Sequence, residues 1–217
     1  MPTSFVKIPV VIKKMFPNYV WDVSTTEKII YLTFDDGPTP EITNWTLDTL
    51  KAYNAKATFF CIGNNVEKHP EIFLNILKEG HAIGNHTHNH LKGWKTATAD
   101  YLQNIKQAQT TIAEQKFEDK SVTTNLFRPP YGKLKPKQGK NLLALGYKII
   151  MWDIISFDWD KDITEEQCLE NVISKAVNGS VVVFHDSLKA ARNMQYALPK
   201  VLKHFTDKGY RFEAIPH

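Results

Sequence analysis

Cysteine is scarce: Cys61 and Cys168 are the only two in 217 residues. They lie far apart, without metal-ligand spacing, which excludes a disulfide framework and a zinc knuckle. Cys61 stands inside the apolar run Thr58–Ile62 and reads as a small core residue. Long hydrophobic runs are missing too, and nothing approaches the roughly 20 apolar residues that a membrane-spanning helix needs. No stretch gathers five or six lysines and arginines, so a nucleic-acid-binding tail is excluded. The net charge of +4 is a mild excess, spread along the chain. It implies only a weak attraction to polyanionic surfaces. Repeats, low-complexity tracts and linkers are absent as well. Near the N-terminus an apolar stretch is broken by Lys7 and Pro9 and is followed by no small-residue cleavage site. No signal peptide is therefore read, and the sequence as written reads as cytoplasmic.

What is present fits one globular domain: 42% hydrophobic and 23% charged residues over a length sufficient for a sizeable core. Short β-branched and aromatic runs alternate with amphipathic helical patterns. Strands are expected at 28–34, 57–62, 82–85, 126–128, 147–152, 181–184 and 211–215. Helices are expected at 41–53, 69–79 and 197–205, and where Tyr101, Ile105, Ala108 and Ile112 share a face. Thr164-Glu165-Glu166-Gln167 is a capping box that starts another helix, which Gly179 is expected to end. About seven such units predict an α/β fold with parallel strands, a distorted and incomplete (β/α) barrel rather than a flat sheet. Residues 28–217 form the expected domain, with 1–27 as an N-terminal extension packed against it.

The costly polar residues all follow strands: Asp35-Asp36, His86 and His90, Arg128, Asp158-Trp159, and His185-Asp186. In a β/α barrel those strand ends converge on the face that hosts the chemistry. Within His86-Thr87-His88-Asn89-His90 the outer two histidines are four apart, so a helical turn would let them share a metal, while His88 points elsewhere. Thr87 stands where the glutamate of a metalloprotease helix would be. A third ligand is available from the Asp35-Asp36 pair, whose mutual repulsion is relieved if one carboxylate binds a cation. His81 and Asn85 are candidates for orienting the ligands from behind. Trp45, Trp94 and Trp152 are read as core or rim residues, and Asp186 as a hydrogen-bonding strand-end residue.

The segments Thr33-Phe34-Asp35-Asp36-Gly37-Pro38, His86-Thr87-x-x-His90, Arg128-Pro129-Pro130-Tyr131-Gly132 and Val183-Phe184-His185-Asp186 resemble, in order, the first, second, third and fifth motifs of the polysaccharide deacetylases, the NodB-homology enzymes of carbohydrate esterase family 4. The resemblance runs from about Lys28 to the C-terminus. It implies a NodB-type distorted barrel and one divalent metal on Asp36, His86 and His90, usually Zn2+, with Co2+, Ni2+ or Mn2+ as alternatives. It also implies Asp35 as general base, Arg128 as the residue orienting it, and His185 as general acid. Asp158 would tune that acid, and the backbone N–H of Tyr131 would be an oxyanion donor. Pro130, Tyr131, Trp159 and Val183 would contact substrate, Val183 standing where the family usually has Leu. The fourth motif, usually Asp-x-x-Asp-Trp, reads Ile155-Ser156-Phe157-Asp158-Trp159, so its first carboxylate is missing.

The resemblance implies removal of acetyl groups from a polysaccharide or amino-sugar oligomer containing N-acetylglucosamine, peptidoglycan or chitin-like. The family also admits an O-acetyl esterase of acetylated xylan, and a carbohydrate-binding pseudoenzyme is a third reading. Substrates of this kind lie at the cell envelope or outside the cell, against the cytoplasmic reading of the N-terminus. No nucleic-acid or protein partner is implied.

Overall fold

The apolar runs Ile29–Asp35, Ala57–Cys61 and Val181–His185 are buried along almost their whole length, as strands covered on both faces must be. In the computed structural model, which describes residues 5–216, they are the centre of a parallel sheet. Residues 1–4 and 217, at the ends of the two spans read from sequence, lie outside the described residues.

In chain order the elements are α1 (Val10–Met15), β1 (Ile29–Asp35), α2 (Ile42–Ala52), β2 (Ala57–Cys61), α3 (Gly63–Lys68), α4 (Pro70–Lys78), β3 (Ala82–Asn85), α5 (Thr98–Glu114), β4 (Lys116–Phe117), β5 (Lys120–Ser121), β6 (Leu126–Phe127), α6 (Pro136–Ala144), β7 (Lys148–Ile149), β8 (Ile154–Ile155), α7 (Glu165–Ile173), β9 (Val181–His185), α8 (Ala191–Asp207) and β10 (Arg211–Phe212). Seven strands run in the order β7-β6-β3-β2-β1-β9-β8, every neighbouring pair parallel. β10 adds a parallel partner at the start of β1, and β4–β5 is a separate antiparallel hairpin. The curled sheet with helices outside is the incomplete barrel that the alternation predicts.

Its core has an outer and an inner part. Leu32, Phe34, Phe59, Phe184 and the apolar faces of α2, α4 and α8 fill the space between sheet and helices. Ile29, Tyr31, Phe60, Leu126, Ile150, Val181 and Ile215 fill the inside of the curl. Alternation along β1 therefore sends Tyr31, Thr33 and Asp35 inward, which brings Asp35 to the inner rim.

The two outermost strands, β7 and β8, are bridged by the N-terminal segment. Val20 donates its N–H to Ile149 O and accepts from Met151 N–H beside β7. Val6 and Ile8 make the equivalent exchanges with Ile155 and Asp153 beside β8. Asp153, buried, receives Lys13 Nζ at 2.6 Å, Lys7 Nζ at 3.0 Å and the Ser180 hydroxyl at 2.7 Å.

Several local expectations change. The strand expected at 147–152 is only β7, and β8 follows it separately. The helix expected at 69–79 is preceded by α3, and α8 starts six residues earlier than expected. The Thr164–Gln167 box forms both of its hydrogen bonds. Gly179 does not end α7, which stops at Ile173; it sits in the turn before β9. There its φ is +79°, and a Cβ would collide with the Val23 carbonyl.

Candidate active site

β1 and β9 pair in register so that Asp35 lies beside His185. Both point to the inner rim at the C-terminal end of the sheet, and Asp36 is the first residue beyond β1. Its φ is +82°, a left-handed conformation unusual for a residue with a side chain. Asn65 holds it there, donating its amide to Asp36 O at 2.7 Å. The next residue, Gly37, donates its N–H to Asp186 Oδ1, and Thr43 Oγ1 donates to Asp186 Oδ2. Asp186 is thus a buried clasp behind the first loop. Burial, with the charge of Asp36 added, pushes its carboxyl up to about 8.

His86 and His90 are not on a helical turn. They belong to an irregular loop after β3 in which Thr87 and His90 have φ of +64° and +53°. The loop is pinned from behind: Asn85 Oδ1 accepts from Thr87 N–H, and Asn104 Oδ1 accepts from both His88 and Asn89 N–H. The two rings nevertheless converge, with centroids 5.1 Å apart. His86 Nε2 lies 3.7 Å and His90 Nε2 3.2 Å from Asp36 Oδ1.

These three side chains fit a metal ion. His86 Nδ1 is 2.7 Å from the Arg128 carbonyl, which can only accept, so Nδ1 carries the proton and Nε2 presents its lone pair. Burial pulls the His86 imidazole down to about 4, so it is neutral. Asp36 Oδ1 is buried without a hydrogen-bond partner. Burial alone would raise the Asp36 carboxyl, but the histidines around it hold it well below the usual carboxylate range. A lone pair aimed at an orphaned carboxylate oxygen is unfavourable unless a cation lies between them. Ligand atoms of Asp36, His86 and His90 all lie within 4.8 Å of one another. His88 is excluded from this group: its Nε2 lies 3.7 Å from Glu67, on the far side of the loop.

Beside the triad stand two ion pairs. Arg128, fully buried, donates to Asp35 Oδ1 at 2.8 Å, to Thr33 Oγ1, and to the carbonyls of Ile150 and Met151, with its guanidinium 4.2 Å from the Phe60 ring. His185 Nδ1 lies 2.8 Å from Asp158 Oδ1, and its backbone N–H donates to Asp158 Oδ2. Burial works against protonation of His185, but the Asp158 carboxylate outweighs it and pushes the imidazole up to about 9. Near neutral pH His185 therefore holds its proton.

Tyr131 has φ +60°, and among the described residues its backbone N–H has no protein acceptor. Its ring, half exposed, leans on His90 at 4.7 Å and on Trp94 at 5.4 Å. Trp159 borders the other side, 4.7 Å from His185. Pro130 and Val183 are buried, so any substrate contact they make comes from beneath the surface.

His81 is misplaced by the sequence reading. It precedes β3 and accepts from Ala57 N–H, at the opposite end of the sheet from the site. Asn85 does stand behind the ligands. Asn65, Asn104 and Thr43 were not singled out from sequence. Asn104 had a signal: it is a polar residue at a helical position within the buried stripe of Tyr101, Ile105 and Ala108.

A family model described as polysaccharide deacetylase matches residues 22–150. A peptidoglycan-N-acetylglucosamine deacetylase of Bacillus cereus is 36% identical over 202 residues, 90% of each chain. The peptidoglycan-N-acetylmuramic acid deacetylase PdaC of Bacillus subtilis is 33% identical over 89% of this chain, which spans 39% of that protein. Among solved structures, the Bc1960 peptidoglycan N-acetylglucosamine deacetylase superposes with a TM-score of 0.87 at 31% identity, covering 96% of this chain and 95% of that one.

Proposed function

The chain belongs to the polysaccharide deacetylase family, and from that premise we propose that it is a metal-dependent hydrolase removing acetyl groups from N-acetylglucosamine-containing peptidoglycan. The observation that carries this reading is the orphaned Asp36 Oδ1 facing His86 and His90, with protonated His185 alongside. A divalent cation on these three ligands, zinc in this proposal, acidifies water and polarises an acyl oxygen.

The chain's own residues divide the remaining work. Asp35 accepts the proton of the attacking water, and Arg128 fixes the orientation of its carboxylate. The unpaired N–H of Tyr131 offers a donor to the acyl oxygen as negative charge develops there. His185 delivers the proton on its Nε2 to the departing nitrogen, and Asp158, accepting from Nδ1–H, keeps the ring charged and oriented for that transfer. An amide nitrogen leaves only when protonated, whereas an ester oxygen needs this less, so a histidine held at about 9 favours amide over ester hydrolysis. Trp159 forms the wall on that side. A substrate of this kind puts the protein's work at the cell envelope.

Acetate release from muropeptides, chito-oligomers and acetyl-xylan, with zinc-loaded and chelator-treated protein, tests the reading. N-deacetylation that chelator abolishes is expected, with Asp35→Asn slower by roughly 10²–10⁴-fold at unchanged metal content. Acetate released from xylan alone would overturn it in favour of an esterase, and none released from any substrate in favour of a pseudoenzyme.

A further inference from the structure

The +4 charge is less evenly spread than the whole chain suggests. No Asp or Glu occurs between Glu79 and Asp100, or between Asp119 and Asp153, while lysines recur through both segments. The fold brings these two acid-free segments together on one rim. Gln138 donates to Gly93 O at 2.9 Å, Lys135 Nζ donates to Thr96 O at 2.7 Å, and Gly93 packs against the Lys133 carbonyl. The rim stands directly over the metal triad, because Tyr131 on it touches the His90 ring.

Two aromatic rings and two ammonium groups make up its surface. Trp94 meets Tyr131 edge-on, Lys92 Nζ lies 5.4 Å from the Tyr131 ring and Lys133 Nζ 5.2 Å from the Trp94 ring. Tyr131 is 50% exposed, and both lysines are exposed. Among the described residues, neither ammonium has a carboxylate within 4 Å. The opposite rim, after β8, carries Phe157 and Trp159 followed by Asp160, Lys161 and Asp162. β1, with Asp35 and Asp36 at its end, lies between the two rims in the sheet. The groove is therefore polarised: it is aromatic on both sides, with lysines and no carboxylate in the two segments beside Tyr131 and a net negative charge beyond Trp159.

We propose that Lys92, Trp94, Tyr131 and Lys133 form a subsite for a carboxylate-bearing sugar, such as a muramic acid unit free of its stem peptide, flanking the acetylated sugar in the groove. This rests on the deacetylase reading above and adds the charge of the neighbouring unit. The rings give the sugar an apolar face to lie on, and the ammonium groups, already oriented over those rings, take its carboxylate. On a neutral polymer the same lysines would have no anionic partner.

Equilibrium binding and steady-state kinetics on two N-acetylated tetrasaccharides of equal length decide it, one with free carboxylates on alternate sugars and one neutral. The wild type is expected to prefer the carboxylated form roughly three- to tenfold, which is what two exposed charge pairs supply. That preference should fall toward one in Lys92→Gln/Lys133→Gln through KM and Kd rather than kcat. It should survive in Lys92→Arg/Lys133→Arg, and shrink in high salt as the Debye length contracts. A wild-type ratio near one, or a ratio unchanged in the glutamine variant, overturns the subsite. If neither tetrasaccharide loses acetate, the deacetylase reading falls, and the binding ratio still decides the subsite.

Discussion

Replacing Arg128 by Met keeps most of the side chain's volume and removes its charge and its donors. The guanidinium is 0% exposed and serves four acceptors: Asp35, Thr33, Ile150 O and Met151 O. Asp35 is 3% exposed, so its carboxylate would lose its cation where water reaches it poorly. Breaking a buried pair from one side costs about 3–5 kcal/mol. Carbonyls left without donors add about 1 kcal/mol or more. A total of roughly 4–6 kcal/mol is a large share of a stability of about 5–15 kcal/mol. For a chain of this length it lowers Tm by roughly 10–20 °C. Asp35→Asn keeps the shape and removes the opposite charge, so the double variant relieves the buried charge that each single variant leaves behind. Thermal and urea unfolding of the wild type, both singles and the double give the coupling, expected at about 2 kcal/mol or more. Additivity within about 0.5 kcal/mol would falsify the view that this pair is one electrostatic unit.

Metal retention after dialysis should be lost in His86→Ala and kept in His88→Ala, because only His86 faces Asp36; equal metal content in the two would remove His86 from the ligand set. Asp158→Asn should bring the His185 imidazole down from about 9, moving the basic limb of the pH–rate profile at least one unit lower; an unmoved limb assigns that limb to another group. The stability side has a definite sign. A raised histidine stabilises the fold fully below its ordinary value near 6.5 and loses that contribution as pH climbs toward 9, so chelator-treated wild type should exceed Asp158→Asn most below about 6.5, down to the pH at which Asp158, itself raised by burial, takes up a proton. Asp153→Ala should remove the buried anchor that Lys7, Lys13 and Ser180 share, leaving Lys13 to Asp22 and Lys7 to the Lys175 carbonyl, and loosen the N-terminal segment, costing about 1–3 kcal/mol. Protease cleavage within residues 5–20 should then precede cleavage elsewhere, and an unchanged digestion pattern would show that the backbone bridges suffice.

The sequence is most readable where burial is continuous. β1, β2 and β9 are predominantly apolar runs, and α5 carries its core residues at helical spacing. β7, β8 and β10 are two residues each, too short for any periodicity to emerge. α3 opens with Gly63-Asn64-Asn65 and α6 carries Gly139 in its middle, all weak helix formers, and the start signal of α6 is confined to Pro136 at its first position and the Gln138 side chain that caps it. At the site, the strand-end register pointed to Asp35, Asp36, Arg128 and His185 because the fold class alone says where strand ends meet. The local geometry was not readable. His86 and His90 converge through left-handed residues pinned by Asn85 and Asn104, contacts that depend on a helix some fifteen residues away in sequence. The cationic rim was hidden because it is assembled from two segments whose meeting only the fold determines.

The departure in the fourth motif can be located in the same terms. Ile155 pairs with Val183, and Val183 with Thr33, two residues before His185 and Asp35 on the same strands. At a rise of about 3.3 Å per residue, that row lies roughly 6–7 Å below the one holding Asp35 and His185. Ile155 and Val183 therefore form part of the floor, while Asp35 and His185 form the row above, with Asp158 closing on His185 from its loop. A carboxylate at 155 would be a further negative charge near Asp35 and Asp158, in a region whose one fully buried guanidinium, Arg128, is already bound to Asp35 and to neutral acceptors. An aliphatic side chain avoids that repulsion and its desolvation cost. The substitution thus alters the shape and polarity of the floor and leaves the Arg128–Asp35 and His185–Asp158 ion pairs above it intact.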